Sequence, residues 1–113
     1  MKTIEVKNAK SLNNPHGIDA RKIYDTKNAV VVYMNIEPGK SLKSHITPVD
    51  VFFYVLTGRG IVEVGEEKLE VGPDTLIESP ANIAHCWYNE GNKPLRILVA
   101  KVPRPTEATK MNP

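Results

Sequence analysis

The sequence predicts an all-β sandwich or barrel in one domain, and three observations carry that expectation. Short runs of β-branched and aromatic residues recur with turn signals at intervals of roughly eight to twelve residues. No sustained apolar period of helical length occurs between residues 1 and 113. Several of the nine prolines stand at the ends of these runs, where a missing N–H costs no ladder hydrogen bond.

The elements follow in order. Ile4 and Val6 alternate with polar residues and predict a short edge strand, which the turn cluster Asn13-Asn14-Pro15-His16-Gly17 follows. Residues 21–25 read as a second brief strand. Residues 29–36 (AVVVYMNI) are dominated by β-branched side chains and closed by Pro38-Gly39. Residues 41–46 end near His45, and residues 51–56 form the most β-prone run, turned by Thr57-Gly58-Arg59-Gly60. Residues 61–64 and 68–71 flank a hairpin turn at Gly65-Glu66-Glu67. Residues 75–78 precede the break at Ser79-Pro80-Ala81-Asn82; residues 84–88 and 95–102 complete the set. Beyond Pro103 little can be buried, so residues 104–113 are expected as a loose tail.

Composition narrows the function classes. A net charge of +2 over 113 residues, with basic side chains scattered along the chain, does not make the footprint of a nucleic-acid binder. The apolar runs have strand length, too short for a membrane-spanning helix. The first residues lack the apolar core of a signal peptide, so the cytoplasm is the expected location. Cys86 is the single cysteine, which rules out an intrachain disulfide.

Alternation along a strand decides which side chains share a pocket. If His45 points inward, Thr47, Val51, Phe53 and Val55 follow it, with Pro48 able to disturb the phase. His85, Trp87 and Asn89 share one face of their strand, and Cys86 and Tyr88 share the other. On the strand before Pro38 the inward set is either Tyr33, Asn35 and Glu37 or Val32, Met34 and Ile36. The candidate ligand pocket comprises Tyr33, Asn35, His45, Thr47, Phe53, His85 and Trp87, with aromatic walls and a few convergent polar groups. His16, in a turn cluster, is a further candidate for the pocket mouth or a subunit interface. Cys86 faces away from His85, which argues against a thiol nucleophile.

Two stretches carry a resemblance. Gly39, His45, Thr47, Val51 and Gly58 stand where the first motif of the cupin superfamily has Gly, His, His, Glu and Gly. Asp74, Pro80, Asn82, His85 and Asn89 stand where the second has Gly, Pro, Gly, His and Asn. The resemblance runs over roughly residues 29–102 and implies a double-stranded β-helix, or jelly-roll, barrel over 29–103. It also implies a homodimer, with residues 1–28 as an arm of short strands exchanged between subunits.

In metal-binding cupins three His and one Glu hold iron, manganese, nickel, copper or zinc. This chain keeps His45 and His85 but has Thr47 and Val51 in the other two places. Asp50 lies one residue out of phase with the missing carboxylate. The resemblance therefore implies two function classes. One is a barrel that binds a small molecule in a polar-aromatic pocket without a tightly held metal. The other is a metal-dependent enzyme, dioxygenase- or isomerase-like, with a weakly held divalent metal on His45 and His85. Neither class calls for nucleic acid or membrane as a partner.

Overall fold

β-branched and aromatic side chains in period-two alternation produce antiparallel strands throughout, and the computed structural model describes them over residues 1–112. Pro113, the last residue of the expected tail, lies outside the described residues. The strands are β1 (Ser11–Leu12), β2 (Asp19–Asp25), β3 (Val30–Ile36), β4 (Ser41–Ile46), β5 (Asp50–Thr57) and β6 (Gly60–Val64). After them come β7 (Glu67–Val71), β8 (Leu76–Ser79), β9 (His85–Tyr88), β10 (Leu95–Val102) and β11 (Lys110–Met111). One sheet runs β1-β2-β3-β10-β5-β8 and the other β11-β4-β9-β6-β7. This is the all-β double-stranded β-helix barrel that the sequence predicts.

The inner faces meet in one core. On β5, Val51, Phe53 and Val55 are buried while Phe52 is exposed. On β10, Leu95, Ile97 and Val99 join them, and Trp87 and Val62 close the layer from the facing sheet. On β3 the inward set is Val30, Val32 and Ile36, with Met34 packed against it. Tyr33 and Asn35 therefore lie on the outer face of that sheet. The Tyr33 hydroxyl accepts a hydrogen bond from Arg96 Nε at 2.8 Å, and Asn35 donates to Glu37 at 2.9 Å.

Both chain ends depart from expectation. Residues 4–6 form no strand. Val6–Asn8 is a single 3-10 turn, because the Arg21 guanidinium gathers the carbonyls of Val6, Lys7 and Ala9 and uses up acceptors a strand would pair. Within the chain, Ser11 pairs opposite Arg21 and Leu12 opposite Ala20. At the other end, the residues expected as a loose tail return to the barrel. Lys110 and Met111 pair with Ile46 and His45 of β4, and Asn112 bonds Ser44 through backbone and side chain.

The turns follow the motif positions. Gly58 has φ +86°, and a Cβ there would run into the Pro94 carbonyl oxygen and Leu95 Cα. Asp74 and Asn82, which replace motif glycines, are the two non-glycine residues with positive φ among the described residues, at 61° and 65°. Asp and Asn tolerate that region better than other residues because their short polar side chains bond locally.

Gly58→Ala is expected to lower the unfolding free energy by about 2 kcal/mol or more, combining left-handed strain with a backbone clash. Asn82→Ala is expected to cost about 1 kcal/mol and Asn82→Gly nothing comparable. Urea denaturation of the three variants checks both; equal effects of Ala and Gly at position 82 would contradict the strain argument.

Candidate functional site

An extra residue in β4 makes the site. β4 pairs with β9 through Leu42 opposite Trp87 and His45 opposite His85, so three residues on one strand match two on the other. Simple alternation from Leu42 would turn Ser44 inward and His45 outward. The bulge reverses the phase after Leu42 and brings His45 inside, facing His85. His45 is 9% exposed and His85 2%.

The two imidazoles bond to each other, Nε2 to Nε2 at 3.0 Å. Their outer partners settle who donates. His45 Nδ1 lies 2.8 Å from the Lys43 carbonyl, which can only accept, so Nδ1 carries the proton and Nε2 is bare. His85 Nε2–H then donates to His45, and the bare His85 Nδ1 accepts from the Ser79 hydroxyl at 2.8 Å. The chain of bonds runs Ser79 to His85 to His45 to the Lys43 carbonyl, each atom used once.

Burial and a nearby cation keep both rings neutral. Burial is the main cause pushing His85 down to about 3, with the His45 and Lys101 charges adding to it. His45 is lowered by burial and again by Lys101, against the opposing Lys43 carbonyl bond. Ser79, His85 and His45 have the connectivity of nucleophile, base and orienting group. Ser79 is only 1% exposed, however, and so weakly basic an imidazole takes up a proton poorly. The network is better suited to holding shape than to hydrolysis.

Lys101 is the group that sequence reading missed. It occupies the β10 position opposite Val51 and Val30, in step with the inward Ile97 and Val99. Its Nζ donates to Thr109 Oγ1 at 3.3 Å, and Thr109 Oγ1 lies 3.4 Å from Thr47 Oγ1. Burial, and secondarily the Lys22 charge, push its pKa down. The parity of β10 held the signal for Lys101. Nothing in residues 104–113 marked Thr109, and Ser79 was visible only as part of a turn.

The remaining candidates fall into place around this cluster. Thr47 is buried at the mouth (2% exposed). Phe53 and Trp87 are fully buried beneath it, stacked edge-on as His85, Phe53, Trp87 with ring centroids 5.1 and 5.5 Å apart. They form the floor of the barrel. Tyr33 and Asn35 are not brought to the site, because β3 turns its even-numbered residues inward. His16 stands at the mouth, its ring 5.9 Å from that of His45, and its Nδ1 accepts the Lys43 N–H. Asn89 is structural: it donates to the Ile36 and Lys93 carbonyls and accepts from Gly91 N–H. Cys86 faces outward toward Glu63 and Tyr88, and burial pushes its thiol up. A cleft of about 270 Å³ lies on the outer side of the sheet edge, lined by Asp50, Phe52, Glu78, Pro80 and Val102 with Val51 and Ser79 behind them.

The donor set does not fit a tightly held metal. Where a third imidazole and a carboxylate would complete the coordination, Thr47 offers a neutral hydroxyl and Val51 an isopropyl group. Asp50 points elsewhere and accepts the Ala81 N–H at 2.9 Å. Among the described residues no cluster of three His, Cys, Asp or Glu side chains stands ready to ligate. An ammonium group nearby opposes a second cation.

The family model described as "Cupin domain" matches residues 32–101. An uncharacterized protein, MJ1618 of Methanocaldococcus jannaschii, is 37% identical over 62 residues, 55% of this chain and 49% of that protein. The chain thus matches about half the length of that relative. The crystal structure of TT1209 from Thermus thermophilus is 27% identical with a TM-score of 0.79, covering 93% of this chain and 100% of that one. The polyketide cyclase RemF from Streptomyces resistomycificus, at 21% identity and a TM-score of 0.83 over 98% and 84% of the two chains, shares the fold.

The buried neutral histidines give stability a pH dependence. Between about pH 6.5 and 3 the unfolded chain protonates His85 and the folded chain does not, so stability is full above pH 6.5 and is lost as pH falls. His85 alone is expected to remove about 1.4 kcal/mol between pH 7.5 and 5.5, and His45 adds in the same direction. Urea denaturation at the two pH values checks it, with a shallower slope expected for His85→Gln. A stability that rises on acidification would contradict the neutral pair.

Proposed function

The chain belongs to the cupin domain family, and from that premise we propose that it is a small-molecule-binding barrel without a tightly held metal. The ligand meets the mouth of the barrel at His45, Thr47, His85 and Lys101, above the aromatic floor of Phe53 and Trp87. One observation carries this reading. At the place where a metal would need several anionic or imidazole donors, the barrel holds two imidazoles bonded to each other, a hydroxyl, an isopropyl group and an ammonium. Such a mixture suits hydrogen bonding and charge pairing with an organic ligand.

Binding, on this reading, uses the chain's own groups. Thr47 and Thr109 supply hydroxyls that donate or accept, and Lys101 supplies charge. The histidine network holds the strand ends of β4, β8 and β9 in register around the ligand. The expected homodimer and cytoplasmic location belong to the same reading, as a soluble protein that samples small metabolites.

A second reading, a metal-dependent enzyme of the dioxygenase or isomerase kind, has one feature in its favour. Both Nε2 atoms, the usual ligating nitrogens of imidazole, converge on one region of the mouth.

Metal content separates the two. Protein purified without chelator is expected to hold less than stoichiometric iron, manganese, nickel, copper or zinc by elemental analysis, with no change in His45→Ala or His85→Ala. The double variant Thr47→His/Val51→Glu, which completes the ligand set, is expected to gain stability with added divalent metal, by about 2.7 kcal/mol at a hundredfold excess over Kd. Stoichiometric metal lost on substitution of either histidine would favour the enzyme. Mass spectrometry of denatured, freshly purified protein tests the small-molecule side through what copurifies.

A further inference from the structure

We propose that the ligand is a small carboxylate, bound by the Lys101 ammonium with the hydroxyls of Thr47 and Thr109 beside it. This rests on the small-molecule reading above and names its ligand class.

Lys101 carries a charge that no acid among the described residues pairs. Its neighbours on the same face of β10 are Ile97 and Val99, both in the core, and its side chain is half-buried. Among the described residues its hydrogen-bond partner is a neutral hydroxyl, Thr109 Oγ1, and no carboxylate stands within ion-pair distance. Lys22 has Asp25, Lys68 has Glu63 and Arg59 has Glu70, and the other lysines without an acid among the described residues are exposed to solvent. A partly desolvated ammonium without a counter-charge is costly, and an anion placed against it offsets that cost.

The surrounding donors match a carboxylate. Thr47 and Thr109 bring two hydroxyls 3.4 Å apart, each able to turn its proton to a carboxylate oxygen. The third oxygen partner is an N–H of Lys101, which has three and gives one to Thr109. His45 and His85 are neutral, Lys22 is paired with Asp25 and Lys43 is exposed to solvent, so the one half-buried cation at the mouth is Lys101, whose charge balances a monoanion. A phosphate dianion calls for more: an arginine fork or a row of helix N-terminal amides. All four arginines are engaged elsewhere, Arg21 on the N-terminal arm, Arg59 on Glu70, Arg96 on Tyr33 and Arg104 on Asp25. The chain's one helical element among the described residues is a single 3-10 turn.

Position fits as well. Lys101 is the next-to-last residue of β10, paired with Val51 in the ladder, at the end of the barrel where Thr47 leaves β4. Thr109 arrives on the returning C-terminal segment, whose outer residues Lys110 and Met111 are exposed. The ligand displaces the Thr47–Thr109 contact and takes its place.

Thermal-shift and NMR titrations of the full chain test this, with acetate, pyruvate and benzoate set against acetamide, benzamide and inorganic phosphate. At least one carboxylate is expected to raise Tm where its amide does not, and Lys101→Gln is expected to weaken that binding at least tenfold. Lys101→Gln without ligand is expected to melt no lower than the wild type, since an unpaired, half-buried charge has been removed. Equal binding of acid and amide, preference for phosphate, or full affinity in Lys101→Gln overturns the carboxylate assignment while leaving the small-molecule reading standing. No binding of any compound overturns both. If Lys101→Gln folds poorly, the wild-type comparison of acid with amide, together with reduced carboxylate affinity in Thr109→Ala, decides.

Discussion

A buried pair of imidazoles has to satisfy four ring nitrogens with a limited supply of protons, and the mouth of this barrel is arranged around that constraint. The Lys43 carbonyl cannot donate, so it dictates the proton on His45 Nδ1; the remaining roles then follow one by one to the Ser79 hydroxyl. Each bond ties a different strand: β4 holds His45, β9 holds His85 and β8 ends at Ser79. An extra proton would break the chain in the middle, and desolvation and the Lys101 charge both oppose it on both rings.

The barrel is divided by chemistry along its length. Below the histidines, Phe53, Trp87, Val55, Leu95 and Ile97 are fully buried and fill the interior, leaving a packed floor. Above them sit Thr47, Lys101 and Thr109, and the C-terminal segment lies across this end. A fold that elsewhere provides four metal donors here keeps two and replaces the others with a hydroxyl and an isopropyl group. The frame is unchanged because the glycine, asparagine and proline positions that shape its turns do not depend on the metal ligands. Asp74 and Asn82 show this directly, holding left-handed φ where glycine would be the ordinary choice.

Much of this was legible in the amino-acid pattern. The inward phase of Val51, Phe53 and Val55, and that of His85 and Trp87 against Cys86 and Tyr88, follow from alternation alone. Where the pattern gave two answers, as on β3, only packing chose between them, and the apolar set Val30, Val32 and Ile36 went inside. Tyr33 and Asn35 were thereby left on the outer face. The ends were hardest to read. Ile4 and Val6 lost their strand to a guanidinium fifteen residues or so away in sequence, and the C-terminal residues found a partner in β4. Both contacts are long-range, and no local window contains them.

Sequence by itself determined the class of fold, the position of the turns and the identity of the two histidines, because strand periodicity and turn chemistry act over a few neighbouring residues. Tertiary structure decided the site. A single extra residue in β4 reverses side-chain direction, and it shows only when the strand is laid against β9. The meeting of Lys101 with Thr47 and Thr109 joins the ends of three distant segments. Side-chain direction is set by pairing register and charge by what surrounds it, and both belong to the folded chain.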